Sequence, residues 1–461
     1  VVTRADTAVP VAVAHAVTAA PAAAVHVGAY RWYVVGVLSL GYAFSAIDAR
    51  VLTLLVTPIK ASMGLSDFQI SLLQGFAFSL LYSLAALPIG RMVDGSRRRT
   101  PLVVVGVLIW SFMTMLCGFA NSFGALFAAR VGVGVGEASL SPSAYSLISD
   151  YFEKQRRALA ISFYAIGYPI GGGLALIIGG ILLERFTALP PAVPFLAGLA
   201  PWQLVFVAVG LPGIVVAMLV ATIREPSRAE TGGLAMGGAI PLRDVIAYLR
   251  QRWQLYGMLM GATALSGLLA IGTSLWYPTF LIRTYGMTPG EVGLYFGTLM
   301  LVCGTVGTIA GGWLSGVLIR RGRTDANLRV MLYATFLKAV PLVIGPLMPT
   351  ATLALGCMAI GTLVGQASQG VVLTAIQDVT PNRLRGQVTA LTLLAVNLIG
   401  LGLGSSIIAA ITDFGFHDEG ALRYAIAITG AMVLPVMIVL LATGMKRYRE
   451  VLAAMERPAA Q

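Results

Sequence analysis

Charge is what this sequence has least of. Only 11% of its 461 residues are Asp, Glu, Lys or Arg, against roughly a quarter in an ordinary soluble domain, and that shortage excludes a water-soluble enzyme. Cysteine is scarce too. Cys117, Cys303 and Cys357 all fall in apolar stretches and are odd in number, so no disulfide framework or paired-cysteine metal motif is available. They read as small buried apolar residues. The three histidines, His15, His26 and His417, are too scattered for a metal cluster. No glycine-rich phosphate loop with Lys and Ser or Thr follows a strand, so ATP is not the expected energy source. A membrane enzyme is also disfavoured, because no Cys–His, Ser–His or His–carboxylate constellation lies at membrane depth. No cofactor and no metal are expected.

What the sequence does have is apolar length: 57% of its residues are hydrophobic. A hydrocarbon core roughly 30 Å thick takes about 20 apolar residues per crossing, so the total matches about a dozen crossings. Apolar runs recur at 33–59, 68–92, 101–119, 123–149, 158–182 and 202–223, then at 255–281, 291–318, 330–348, 351–377, 386–412 and 422–444. The expected fold is therefore an all-α membrane protein with 12 transmembrane helices in two six-helix bundles. Residues 1–30, broken by Pro10 and Pro21, read as a disordered cytoplasmic tail, since a secretory signal would carry a clustered basic start and an unbroken apolar centre. Residues 31–223 and 255–445 are the expected bundles. Between them 224–254 is a polar linker with a short amphipathic helix near 241–252, and 446–461 is a cytoplasmic tail.

The net charge of +12 would suggest nucleic acid in a soluble chain, but its placement points to a membrane and no nucleic-acid partner is expected. With the N-terminus inside, 24 of the 31 Lys and Arg fall in cytoplasmic segments and only Lys60, Arg185, Arg283 and Arg423 lie outside. Basic loops stay cytoplasmic, so both termini are expected there. The absence of targeting features fits a bacterial inner membrane.

An internal repeat accompanies the twelve runs. DYFEKQRR at 150–157 reappears as DVTPNRLR at 378–385, and GRMVDGSRRR at 90–99 is echoed by GWLSGVLIRR at 312–321. Two halves in the same orientation suit a binding site at their interface near the midplane, exposed alternately as the halves rock.

The 90–99 segment resembles the glycine–aspartate–basic signature of the major facilitator superfamily. Gly90 would let a neighbouring helix approach, and Asp94, with Arg98 beside it, would face the positive N-terminus of helix 11 near Arg385 as a gating latch. Arg97, Arg98 and Arg99 read more simply as orientation and headgroup charges. More specifically the chain resembles the spinster branch, through DARVLTLLVTPIK at 48–60, LSD at 65–67, RVGVGVGEA at 130–138 and SDYF at 149–152. That resemblance implies a transporter of lysophospholipids, sphingoid lipids or related amphiphiles, with proton coupling. One departure is that Ala49 stands where the family has an arginine directly after the aspartate. Arg50 follows one residue later, about 100° further round the helix.

Intramembrane charge is expensive and so tends to line a cavity or a proton path. Asp48 on helix 1 and Arg130 on helix 4 fall at comparable depths, and Glu137 lies two turns from Arg130 on the same helix face. Making or breaking a carboxylate–arginine pair would couple protonation to access. Asp48 and Glu137 are the expected proton carriers. Arg130 is expected to pair with them and to hold an anionic headgroup, with Arg50 as a further substrate contact. Lys338, roughly 13 Å into helix 9, reads as snorkelling to the interface or facing a lipid opening. Trp276, Tyr277, Gln366, Asn397 and Lys338 itself are candidate cavity-lining groups. GYPIGGG at 167–173 reads as a close, kinked helix contact. The expected partners are protons, a small amphipathic substrate and membrane lipids, with the chain acting as a monomer. The rival readings are transport of small organic acids or hydrophobic drugs, and a non-transporting receptor.

Overall fold

The computed structural model describes residues 27–96, 98–189, 196–226, 241–381 and 384–456. Twelve helices carry the fold: α1 Val27–Val51, α2 Ala77–Gly95, α3 Thr100–Cys117, α4 Phe123–Glu137, α5 Lys154–Ala188, α6 Pro201–Gly210, α7 Trp253–Tyr285, α8 Pro289–Arg320, α9 Ala326–Ile344, α10 Ala351–Asp378, α11 Arg385–Ala395 and α12 Leu422–Glu456. Several are lengthened by adjoining turns. After a break at Ala138 and Ser139, α4 resumes as Leu140–Tyr151, and α6 resumes as Pro212–Ala221. A short helix, Asp67–Ser71, and a π-helical turn, Leu72–Phe76, lead into α2. Beyond α11 come a π-helical stretch Val396–Leu403, a helix Gly404–Ala410 and a second π stretch Ile411–Phe416. Among the described residues eleven of these paths are long and apolar enough to cross a membrane. The unbroken helical path from Asp67 to Gly95 supplies the twelfth.

An even number of crossings puts both chain ends on one face, called here the terminal face; the opposite one is the distal face. The expected N-tail lies outside the described residues up to His26, and α1 takes up the chain at Val27. At the other end α12 runs on to Glu456, so most of the stretch expected as a tail from 446 is helical. Lys and Arg with long apolar stems continue that helix into the interface.

Polar caps start several even-numbered helices on the distal face. Ser66 and Gln69 form a reciprocal capping box ahead of α2, as do Thr288 and Glu291 ahead of α8. Ser122 and Thr350 accept the amides of Ala125 and Leu353 at α4 and α10. Each satisfies amide groups that a helix start leaves unbonded, which matters most where water is scarce.

Small residues at a spacing of four bring the helices together. A Cβ on Gly167 or Gly171 of α5 would fall 2.3 Å from the Ser39 carbonyl oxygen and 2.1 Å from that of Ala43 on α1. In the second half Gly307 and Gly311 of α8 stand as close to the carbonyls of Leu363 and Ala367 on α10, at 2.2 and 2.0 Å. The close contact expected at 167–173 is therefore the α1–α5 crossing.

The apolar core is distributed unevenly between the two faces. Toward the distal face one continuous cluster draws on both halves, with Val51, Leu55, Ile70 and Leu73 packed alongside Trp276, Phe280, Phe296, Ile408 and Leu422. Toward the terminal face the buried apolar residues form separate clusters, one around Trp110, Leu147 and Tyr164 in the first half and one around Tyr256, Met331 and Tyr448 in the second. The halves are joined distally and part toward the terminal face.

Candidate functional site

α1 and α4 pass each other in opposite directions, and their three charged side chains meet inside the first half. Asp48, Arg130 and Glu137 are 2%, 0% and 5% exposed. The depth of α4 follows from its alternating glycines. A Cβ on Gly136 would touch the Trp110 amide on α3 at 2.7 Å, and one on Gly134 the Phe78 carbonyl on α2 at 2.8 Å. Bulkier residues there would hold α4 away and leave Arg130 nearer lipid.

The three expected residues are brought together, but their pairing differs from expectation. Arg130 NH1 donates to the main-chain carbonyl of Asp48 at 3.0 Å, not to its carboxylate, and the guanidinium carbon lies 5.9 Å from the centre of the Phe78 ring. Glu137 accepts a hydrogen bond from Ser45 Oγ on α1 at 2.5 Å. Among the described residues no ion pair within 4 Å joins Arg130 to either carboxylate. The physical reason lies in the turn of α1: its carbonyl at Asp48 sits in the path of Arg130 and takes the first nitrogen. Asp48 Oδ1, Glu137 Oε1, and Arg130 Nε and NH2 are all buried with no partner. This unfilled capacity is what a proton and an anionic group can use.

Arg50 points elsewhere. Its NH1 donates to Ser274 Oγ on α7 at 2.8 Å, bridging the two halves. Trp276 is fully buried, with its indole N–H donated to the Ser405 carbonyl at 2.9 Å. Tyr277 is buried edge-on to Phe296, ring centres 5.6 Å apart. Both fasten α7 into the core. Gln366 packs its Cβ 3.1 Å from the position of a Cβ on Gly307, at the α8–α10 crossing. Asn397 is half-buried in the first π stretch after α11.

Lys338 neither snorkels nor faces lipid. It is 5% exposed, and its Nζ reaches Ser266 Oγ on α7 at 3.4 Å. An inward turn toward a hydroxyl on the neighbouring helix replaces the expected reach to the interface.

On the terminal face the latch residues divide. Arg98 is exposed, and the side chain of Asp94 lies outside the described part. A Cβ on Gly90 would meet nothing within 4 Å, which corrects the expectation of a close helix approach there. The halves have parted toward this face, so among the described residues no neighbouring helix reaches Gly90. Arg385 Nε turns back to the carbonyls of Gln377 and Thr380 in its own half. Arg99 is not a free headgroup charge. It is 1% exposed and held between Asp150 at 2.5 Å and Glu225 at 2.8 Å. Glu225 also accepts from the Thr100 amide and hydroxyl. Burial pushes its carboxyl up, but these donors and Arg99 outweigh it and hold the group below the usual glutamate range.

Sequence reasoning missed the distal contact. Asp67, with no exposure, receives Arg283 NH1 at 2.6 Å and NH2 at 2.8 Å, together with Lys60 Nζ. Glu419 reaches Lys60 at 2.8 Å and Arg283 at 3.1 Å. Two residues of the first half and two of the second thus form one ionic knot. Beside it the Phe68 amide donates to Asp413 at 2.7 Å, and Ser71 meets Ser406 at 3.1 Å. A signal was present: Lys60 and Arg283 are two of the four basic residues on the side where basic residues are rare, and a cation kept there needs a partner.

The sequence matches the Major Facilitator Superfamily over residues 38–405. The chain belongs to the major facilitator superfamily. Within it the likeness runs to the spinster branch. A bacterial homologue of the human lysosomal transporter Spinster, solved in an inward-facing and unoccupied conformation, superposes with a TM-score of 0.74 at 27% identity, over 94% of this chain and 99% of that one. Protein spinster of Drosophila melanogaster is 27% identical over 304 residues, 64% of this chain and 47% of that protein. An MFS-type efflux pump of Mycolicibacterium smegmatis is 29% identical over 296 residues, 63% of each. The chain thus spans less than two thirds of the length of either of these two relatives. It is an integral membrane protein of a transporter family.

Proposed function

We propose that this chain is a secondary active transporter that moves a lysophospholipid- or sphingoid-class amphiphile by proton-coupled alternating access. The terminal face is the cytoplasmic side of a bacterial inner membrane, and a single chain carries the function. The observation that carries this reading is the buried trio Asp48, Arg130 and Glu137, four of whose polar atoms lack partners beside a seam sealed on one face only. The substrate class is the one that the resemblance to the spinster branch implies.

In this mechanism Asp48 and Glu137 take up and release the proton. Arg130, anchored through NH1 to the Asp48 carbonyl, offers Nε and NH2 to an anionic headgroup. Binding there draws on a charge-assisted bond already positioned by the fold. A proton on either carboxylate changes the charge that Arg130 faces, and so links occupancy to protonation. Arg50, tied to Ser274 across the seam, is the second headgroup contact. A substrate that competes for it loosens one bond between the halves.

The test is transport in liposomes under an imposed pH gradient, following a labelled lysophospholipid and a pH-sensitive dye together. Asp48→Asn and Glu137→Gln are expected to abolish proton-driven uptake while the protein stays folded, and Arg130→Lys to lower apparent affinity at least tenfold. Unaltered uptake in the carboxylate variants would overturn the proton assignment. Proton movement competed by small organic acids but not by lysolipid would overturn the substrate class, and no flux of either would leave a receptor.

A further inference from the structure

The linker contains a ten-residue helix, Leu242–Gln251, which the transport reading does not use. At 100° per residue, Val245, Tyr248 and Leu249 lie on one side, Ile246, Arg250, Arg243 and Ala247 on the other, and Leu242 at the edge between Leu249 and Ile246. The first side is occupied: Val245 has no exposure and joins the apolar cluster around Tyr256, and Tyr248 meets the Tyr256 ring edge-on, centres 5.8 Å apart. That side fixes the helix against α7.

The second side has no protein partner among the described residues. Leu242 is 55% exposed and Ile246 49%, and Arg243, Ile246, Ala247 and Arg250 line a shallow surface groove. Among the described residues Arg243 pairs with its exposed neighbour Asp244, at 3.4 Å, a contact that solvent screens to little effect. A helix facing water would carry polar residues here. Branched apolar side chains flanked by arginines are the pattern of a helix lying in a membrane interface.

The level of the helix is set by α7. Arg252 alone separates the two, and the first residue of α7, Trp253, is 65% exposed. The 33 residues of α7 extend for about 50 Å, beyond the roughly 40–45 Å of core plus headgroups. Its start therefore lies at or past the headgroups of the leaflet on the terminal face, with Trp253 where interfacial aromatics sit. A helix one residue away lies at the same level.

We propose that this face is a seat for anionic phospholipid of that leaflet: Leu242 and Ile246 enter the acyl boundary, and Arg243 and Arg250 hold the headgroup phosphates. The seat is distinct from the transport site, and its occupant is a membrane lipid of the near leaflet.

The experiment uses the full-length protein with an environment-sensitive fluorophore on Ile246→Cys, and on Asp244→Cys as the control on another side. Each is placed in phosphatidylcholine vesicles with and without phosphatidylglycerol. Quenching by brominated acyl chains is expected at position 246 and not at 244, and phosphatidylglycerol is expected to strengthen it. In Arg243→Gln with Arg250→Gln the phosphatidylglycerol effect falls by about fivefold for each arginine removed. Equal quenching by aqueous iodide at both positions would overturn the proposal, as would protection of 246 from iodide and brominated lipid alike, the mark of a protein cover. Quenching at 246 that ignores phosphatidylglycerol would overturn the headgroup role. None of these readouts depends on transport.

Discussion

Neutralising Asp67 should open the distal face. Its carboxylate, fully buried, receives Arg283 twice and Lys60 once, and Glu419 is the other anion in the knot. Removing one member of a buried ionic network costs about 3–5 kcal/mol, because the partner is left charged and desolvated. Here Glu419, 60% exposed, remains to answer both cations, so the loss in Asp67→Asn belongs below that range, at about 2–3 kcal/mol. The penalty falls on the conformer in which the halves meet distally. The ratio of closed to open molecules should therefore drop about 30- to 150-fold. Spin labels at Ala61 and Phe416, exposed sites on opposite halves, report it as growth of a long-distance population in pulsed electron resonance. Arg283→Gln removes the same contact from the other side and should give the same shift, with the double variant adding little. An unchanged distance distribution in both single variants would refute the gate.

Two glycines separate conformational from folding effects. A Cβ on Gly75 would lie 2.1 Å from the Leu401 carbonyl across the seam, whereas one on Gly171 would lie 2.1 Å from the Ala43 carbonyl within the first half. Gly75→Ala should open the distal face in the spin-label assay at nearly unchanged melting temperature; Gly171→Ala should lower the melting temperature by several degrees, and the reverse pattern would refute the assignment of these contacts. Glu225 gives a pH signature. Its carboxyl is held low in the fold, so its contribution to stability is present above the ordinary glutamate pKa of about 4.3 and is lost as pH falls through the lowered value. The melting-temperature gap between the natural chain and Glu225→Gln should be full at neutral pH and close in acid; a gap that widened in acid would contradict the sign.

Much of the architecture was legible because the membrane enforces it. Apolar length and the placement of basic residues are requirements of the bilayer, and they gave twelve crossings without any tertiary information. Asp48, Arg130 and Glu137 stood out for the same reason, since charge at that depth needs a cause. Their partners did not, because whether a guanidinium meets a carboxylate or a carbonyl depends on tertiary placement that the sequence pattern does not carry. The knot at Asp67 was only half legible: the scarcity of basic residues on that side marked Lys60 and Arg283, but the members come from positions 60, 67, 283 and 419, and no local pattern joins the two halves. Arg50 illustrates the opposite limit. Its one-residue offset from the family position was visible, but that the new direction ends at Ser274 was not.

The π-helical turns at Leu72–Phe76 and Val396–Leu403 face each other where α2 meets the path from α11, at Gly75 and Leu401. A π turn holds about one residue more than an α turn, and everything after it is rotated relative to an unbroken helix. Counting by 3.6 from the start of either path therefore predicts the wrong side for residues beyond the bulge. Losing one residue within it would restore a straight α-helix of nearly the same length and turn a different stripe of side chains toward the other half. At this crossing insertions and deletions act as rotations, so two chains of this fold can present unlike surfaces to a substrate while differing by a single missing residue.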